Sequence, residues 1–282
     1  MTPRGVALAI FAGSLAIIGS GCVRGPDIRL QRTIEHASAG VLAVATSHDG
    51  NPTSVTLCSG ALVAPNLVLT ARHCVAKAIT TMPSCDADGR SHNGAHIGED
   101  ADPAAIVVYV GDRVQVDRDV PRARAVRTLH PTGHVLCDAD VAYVILDRPI
   151  TGVTILPLRL HDSVQSGDEV VPVGFGGGAT NVIGQRRPRE RSTVLAVGPA
   201  ANQDTGAVLG PREFEVDAAT CRGDSGGPAI DVRTGEIVGV VSRGGSCSGH
   251  GNHVYTRVDA YARLARVAFG AAEREVVDVA QR

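Results

Sequence analysis

Residues 221–228 read Cys-Arg-Gly-Asp-Ser-Gly-Gly-Pro, and this octapeptide carries more chemical information than any other stretch of the 282-residue chain. It sets one hydroxyl, Ser225, in a turn flanked by glycines and directly preceded by an acid. Gly223, Gly226 and Gly227 have no side chains to shield the main-chain N–H groups, so a substrate carbonyl can come close. The N–H groups of Gly223 and Ser225 would converge on one spot, the donor pair that a nascent oxyanion needs. A serine hydroxyl is a poor nucleophile at neutral pH and requires a base within hydrogen-bond reach. Histidine suits that role, since its ordinary pKa of about 6.5 lets it take a proton and later return it.

Two further segments keep company with this turn. Residues 58–74 read CSGALVAPNLVLTARHC and contain His73; residues 140–146 read DVAYVIL and begin with Asp140. In this chain order the three segments resemble the trypsin-like serine proteases of the chymotrypsin fold, over about residues 40–260. The resemblance implies that His73 is the general base, Asp140 its orienting acid, Ser225 the nucleophile, and Gly223 with Ser225 the oxyanion hole; the mechanism comes with the family. Asp138 competes for the acid's role within Cys-Asp-Ala-Asp, but Asp140 directly precedes the apolar strand, as the family pattern requires.

The chain has seven cysteines. Setting Cys22 aside leaves an even set suited to an exported, disulfide-bonded protein. The family implies a Cys58–Cys74 bridge around the histidine and a Cys221–Cys247 bridge beside the serine turn. Cys85 and Cys137 have no family counterpart and are expected to pair with each other. No C-x-x-C or H-E-x-x-H spacing occurs, so no metal is expected, and the mechanism that the resemblance implies needs no cofactor.

Activation and specificity are harder to read. Relatives free an IVGG-like N-terminus whose ammonium pairs with the aspartate before the nucleophile, here Asp224. No such tetrapeptide lies between Cys22 and Val41; the nearest candidate is Thr33–Ile34 after Arg32. Either cleavage after Arg32 makes an unorthodox terminus or another cation answers Asp224, because a buried, unpartnered carboxylate is costly. By resemblance Ala219 is the pocket floor, Thr220 its neighbour and Ser242-Arg243-Gly244 the wall, along which a substrate backbone would add as a strand. His253 is expected to project into the pocket. Without an acid at position 219, cleavage after Arg or Lys is not expected; small or apolar side chains come first, acidic ones second.

Formal net charge is −2, which gives no reason to expect a nucleic-acid partner. The arginine-rich run 185–191 and the polar insertion around 82–103, with His92, His96, Glu99, Asp100 and Asp102, read as solvated loops, the latter in preference to a calcium site. Arg4 followed by the apolar run 5–18 reads as a signal peptide, too short to span a bilayer. Cys22 stands where a bacterial lipoprotein would be acylated, giving a membrane attachment; simple secretion is the alternative.

Short runs fit an all-β chain: Val41–Ala45, Val55–Leu57, Leu67–Thr70, Ile106–Val110 and Val141–Leu146, then Glu169–Val173, Thr193–Val197, Glu213–Val216, Ile237–Ser242 and His253–Val258. The resemblance turns these into two six-stranded antiparallel β-barrels side by side, 41–150 and 151–258. Before them come a signal segment, 1–22, and a propeptide or linker, 23–40. After them comes a C-terminal helix and tail, 259–282, with Tyr261, Leu264, Val267 and Ala268 at helical spacing and a polar extension from 269. The expectation is a monomeric, exported bacterial serine endopeptidase acting on proteins or peptides. The alternative is a catalytically silent homologue that binds a partner through the same cleft.

Overall fold

The computed structural model describes residues 28–48, 51–77, 83–94, 96–177, 183–217, 220–244, 247 and 252–280. The expected signal segment 1–22, with Cys22, and Ala219 lie outside the described residues. The first barrel contains β1 (Val41–His48), β2 (Asn51–Ala64), β3 (Leu67–Thr70), β4 (Ile106–Tyr109), β5 (Ala123–Leu129) and β6 (Ala142–Leu146), closed in the order β1-β2-β3-β6-β5-β4. The second contains β7 (Glu169–Gly174), β8 (Arg187–Pro188), β9 (Ser192–Val197), β10 (Ala200–Ala201), β11 (Val208–Leu209), β12 (Glu213–Val216), β13 (Pro228–Asp231), β14 (Ile237–Arg243) and β15 (His253–Arg257). Six of these run β13-β14-β15-β12-β9-β7, and pairing of β13 with β7 closes the ring; β8 lies alongside the end of β7, and β10 pairs with β11. Every barrel pairing is antiparallel.

Each barrel holds one strand that hydrophobic patterning does not signal. In β5 the alternation begins with Ala123 and Ala125 buried, but Arg124 and Arg127 are exposed, so charged positions interrupt the apolar run. In β13 the strand is four residues long and begins with a proline. Both are held by their neighbours, which is the usual way tertiary pairing overrides weak local preference.

Two helices flank the barrels. α1 (Ile28–Ser38) occupies much of the expected linker and buries Ile34, Ala37 and Ser38 against the core. α2 (Ala262–Ala280) continues through most of the expected polar tail. Its buried stripe is Ala265, Ala268, Ala271 and Ala272, whereas Val267 is half exposed, so the inward face is set by small residues that let the helix sit close to the barrel. Asn66, at the β2–β3 turn, donates to the Ala272 carbonyl at 2.9 Å and anchors it there. No helix among the described residues is long and apolar enough to cross a membrane.

Candidate active site

The histidine stands on a single 3-10 turn, Arg72–Cys74, that follows β3. Cys74 is bonded to Cys58 in β2, which fixes the turn to the barrel wall. Arg72 is nearly fully buried and donates to the carbonyls of Pro131 (3.0 Å) and Gly133. The segment leading to Asp140 is thereby fastened to the histidine turn. Asp140, fully buried just before β6, accepts twice from His73: its Oδ1 from the main-chain N–H at 2.9 Å, its Oδ2 from Nδ1–H at 2.7 Å. The Ser242 hydroxyl adds a third donor to Oδ2 at 2.7 Å.

Burial opposes charge on both partners, and their proximity outweighs it. Desolvation presses the imidazolium down, but the adjacent Asp140 charge and hydrogen bond leave the His73 pKa raised. Desolvation likewise pushes the Asp140 carboxyl up, and His73 with the other donors leaves it lowered. An ionised Asp140 keeps the proton of neutral His73 on Nδ1, so Nε2 carries the lone pair.

Asp138 does something different. It has a positive φ of 63°, and its N–H donates to Glu213 Oε1 at 2.8 Å. Its carboxylate accepts from the main chain and guanidinium of Arg212, and its carbonyl accepts from Tyr261. It joins the first barrel to the second and to the 3-10 turn Asp259–Tyr261 just before α2.

The serine turn precedes β13. Gly223 has φ +100° and Gly226 φ +78°, the left-handed region that favours glycine. A Cβ on Gly226 would lie 2.2 Å from Thr70 Oγ1, so the turn is pressed against the first barrel. Ser59, from the Cys-Ser-Gly motif of β2, clamps it from there. Its N–H donates to the Ser225 carbonyl and its hydroxyl to the Gly223 carbonyl, both at 2.8 Å, while that same hydroxyl accepts from Phe175 N–H. Gly177 N–H donates to the Arg222 carbonyl at 3.0 Å. Because a trans peptide points its N–H opposite its carbonyl, the Gly223 N–H is turned away from Gly177. Among the described residues neither Gly223 N–H nor Ser225 N–H has a protein acceptor. Ser225 and His73 line one cavity of about 300 Å³ together with Thr220, Arg222, Ser242, Arg243 and Gly244. No hydrogen bond joins Ser225 Oγ to His73 Nε2 among the described residues, a looseness common before substrate arrives. A larger groove of about 840 Å³, between α1 and residues 154–157 and 234–235, contains none of these groups.

Asp224, almost fully buried, meets Arg189 from the arginine-rich run. Arg189 Nη2 donates to Asp224 Oδ2 at 2.6 Å and lies 2.9 Å from the Gly176 carbonyl. Gly176 N–H donates to Oδ1 at 2.9 Å and Cys221 N–H to Oδ2 at 2.8 Å. Burial pushes the Asp224 carboxyl up, with Arg189 and these N–H groups pulling against it. The reading of 185–191 as merely solvated is therefore corrected at Arg189. Its side chain is 12 % exposed, because the β8 pairing carries it inward beside β7.

The pocket wall also departs from expectation. His253 is fully buried, and its Nδ1 lies 3.1 Å from Thr220 Oγ1; among the described residues Thr220 meets the cavity and His253 does not. Arg243 lines the cavity, but its guanidinium is engaged by the buried Glu213 carboxylate, through Nη1 to Oε1 and Nη2 to Oε2 at 2.8 Å.

The Cys85–Cys137 and Cys221–Cys247 bridges are formed as well as Cys58–Cys74. In the insertion the acids have separate tasks. Glu99 pairs with Lys77, Asp100 with His130 and Arg72, and Asp102 caps a short 3-10 turn; His92 faces Asp86, and His96 Nδ1 lies near the Gly94 carbonyl. The one close grouping of metal-binding residue types among the described residues is Cys58, His73 and Cys74, whose sulfurs are bonded to each other.

Sequence reasoning did not find Ser59, Gly176 or Arg189, and it assigned Ser242 to substrate contact without its bond to Asp140. The signal for Ser59 was its place in Cys-Ser-Gly; the signal for Gly176 was Gly-Phe-Gly.

A profile of the Trypsin family matches residues 33–265. The chain belongs to the trypsin family of serine proteases. It is 28% identical over 201 residues to the cercarial protease of Schistosoma mansoni, covering 68% of this chain and 72% of the relative. It is 28% identical over 225 residues to a trypsin of Saccharopolyspora erythraea, covering 74% of this chain and 86% of that one. Among solved structures it resembles the scabies mite inactivated protease paralogue S-I1, with TM-score 0.61 at 18% identity, covering 84% of this chain and 96% of that one.

Proposed function

We propose that the protein is a catalytically active serine endopeptidase that works outside the cytoplasm. The observation that carries this reading is the doubly hydrogen-bonded Asp140–His73 pair, its imidazole sharing one cleft with Ser225, whose turn has two N–H donors with no protein acceptor among the described residues. In the proposed reaction Nε2 of His73 takes the Ser225 proton as Oγ attacks the scissile carbonyl. The imidazolium is stabilised by Asp140, and the oxyanion sits on the N–H groups of Gly223 and Ser225. The protonated His73 then passes its proton to the leaving amine. Water repeats the sequence against the acyl-enzyme and releases Ser225.

Substrate backbone would add along residues 242–244 as an extra strand. Arg243 is already paired with Glu213, which favours small or apolar side chains over acidic ones in the adjoining pocket. Three disulfides support export, since such bonds persist in oxidising compartments. Lipid attachment at Cys22 belongs to the same proposal.

A fluorophosphonate probe tests the reading. The wild-type protein should take the label and cleave peptides, and Ser225→Ala should do neither. A folded wild-type protein that binds peptides without cleaving them, and without taking the label, would establish the silent binding homologue instead.

A further inference from the structure

The buried acid beside the nucleophile has a cation from its own chain. We infer that Arg189 is the positioning residue that holds Asp224 and thereby sets the oxyanion turn, so that this site needs no ammonium freed by cleavage in the N-terminal segment. The inference rests on the proposed peptidase activity and names what orders it.

The geometry forms one connected set. Asp224 sits in a notch made by two glycines: a Cβ on Gly174 would lie 2.3 Å from Oδ1, and one on Gly176 would lie 2.5 Å from Cγ. Only bare backbone allows the carboxylate that close. Arg189 closes the open side, and its main-chain N–H donates to the Pro172 carbonyl at 2.7 Å, which ties it to β7. The guanidinium reaches the carbonyls of Gly176 and Gly177 as well as Asp224. Gly177 in turn holds the Arg222 carbonyl, and so turns the Gly223 N–H away from itself. Losing Arg189 would leave a buried carboxylate without its cation and loosen the loop that orients this donor.

The N-terminal segment is occupied elsewhere. Arg32 lies inside α1, and Ile34, two residues on, is buried against the core. A terminus made after Arg32 would first have to unwind that helix. Among the described residues, the other titratable group facing the Asp224–Arg189 pair is Tyr255 of β15, whose hydroxyl burial pushes well above its ordinary range.

Chemistry separates a guanidinium from an amine. Acetylating every amine of the folded protein, with completion checked by intact mass, modifies the α-amino group and Lys77 and leaves arginine untouched. Fluorophosphonate labelling and peptide cleavage should persist within about twofold, with Lys77→Gln as the control for that side chain. Arg189→Ala should lower kcat about 100-fold with KM little changed, the size expected for a lost oxyanion donor. Arg189→Lys should regain part of the rate and acquire an alkaline decline near about pH 10, where an ammonium loses its proton and a guanidinium does not. If Arg189→Ala fails to fold, acetylation and Arg189→Lys decide the matter. A terminal amine that resists acetylation, activity lost on acetylation, or an Arg189→Ala variant as fast as wild type each overturns the role of Arg189. A wild-type protein that neither cleaves peptides nor takes the probe overturns the peptidase reading itself.

Discussion

Two buried aspartates each hold a basic side chain, one pair on each barrel. Asp140 holds His73 at the end of β3, and Asp224 holds Arg189 beside β7. Both carboxylates are nearly or fully buried, both accept main-chain N–H groups as well as a side chain, and both would be costly alone. The difference lies in the partner. An imidazole gives up its proton within the working range of an enzyme, so the Asp140 site can move a proton. A guanidinium keeps its own, so the Asp224 site fixes shape. The first barrel supplies the mobile charge and the second the permanent one.

The largest expected effect comes from breaking the mobile pair. Asp140→Asn should lower kcat by about 10⁴-fold, because the amide disfavours the tautomer that leaves Nε2 available. Steady-state peptide hydrolysis measures it, and a loss below tenfold would mean that the pair has no catalytic task. Removing the bridge that restrains the insertion, with Cys85→Ser and Cys137→Ser together, should lower stability by about 2–4 kcal/mol in urea titrations. The Asp140–His73 distance does not rely on that bridge alone, so activity in the absence of urea should remain.

Asp138→Ala sharpens the contrast between neighbouring acids. It leaves the N–H and side chain of Arg212 without their acceptor and should cost about 2 kcal/mol of stability, discounted because Arg212 is half exposed. The pH dependence of kcat/KM should not move. The smallest effect is a shift in that dependence for the wild-type protein. The raised His73 pKa means that the base becomes neutral, and activity appears, only as pH rises through a midpoint above the ordinary value of 6.5. An acid limb at or below 6.5 would show that Asp140 does not outweigh the cost of burying the imidazolium.

Much of the candidate site was legible because each of its motifs is a local run. The serine turn needs glycine where φ is positive, and the acid directly precedes an apolar strand that becomes β6. The barrel strands with continuous apolar patterning were equally readable. β5 and β13 were not, because arginines line one and the other is short and begins with proline. α2 was readable as a helix, but its inward face was not: small alanines pack there, and the larger Val267 is turned outward.

The amino-acid order by itself determined which side chains have the chemistry: a hydroxyl, an imidazole, acids and glycines at fixed local spacing. Only the tertiary structure decided who partners whom across long separations. Arg189 reads as one cation among several in 185–191 until β8 pairs with β7 and turns it onto Asp224. Ser242 reads as a substrate contact and Ser59 as an ordinary strand serine until barrel closure sets one against Asp140 and the other against the serine turn. Such contacts depend on strand register and on the docking of the two barrels. Composition is blind to both, since a charged or hydroxyl side chain is equally at home in water until folding removes the water around it.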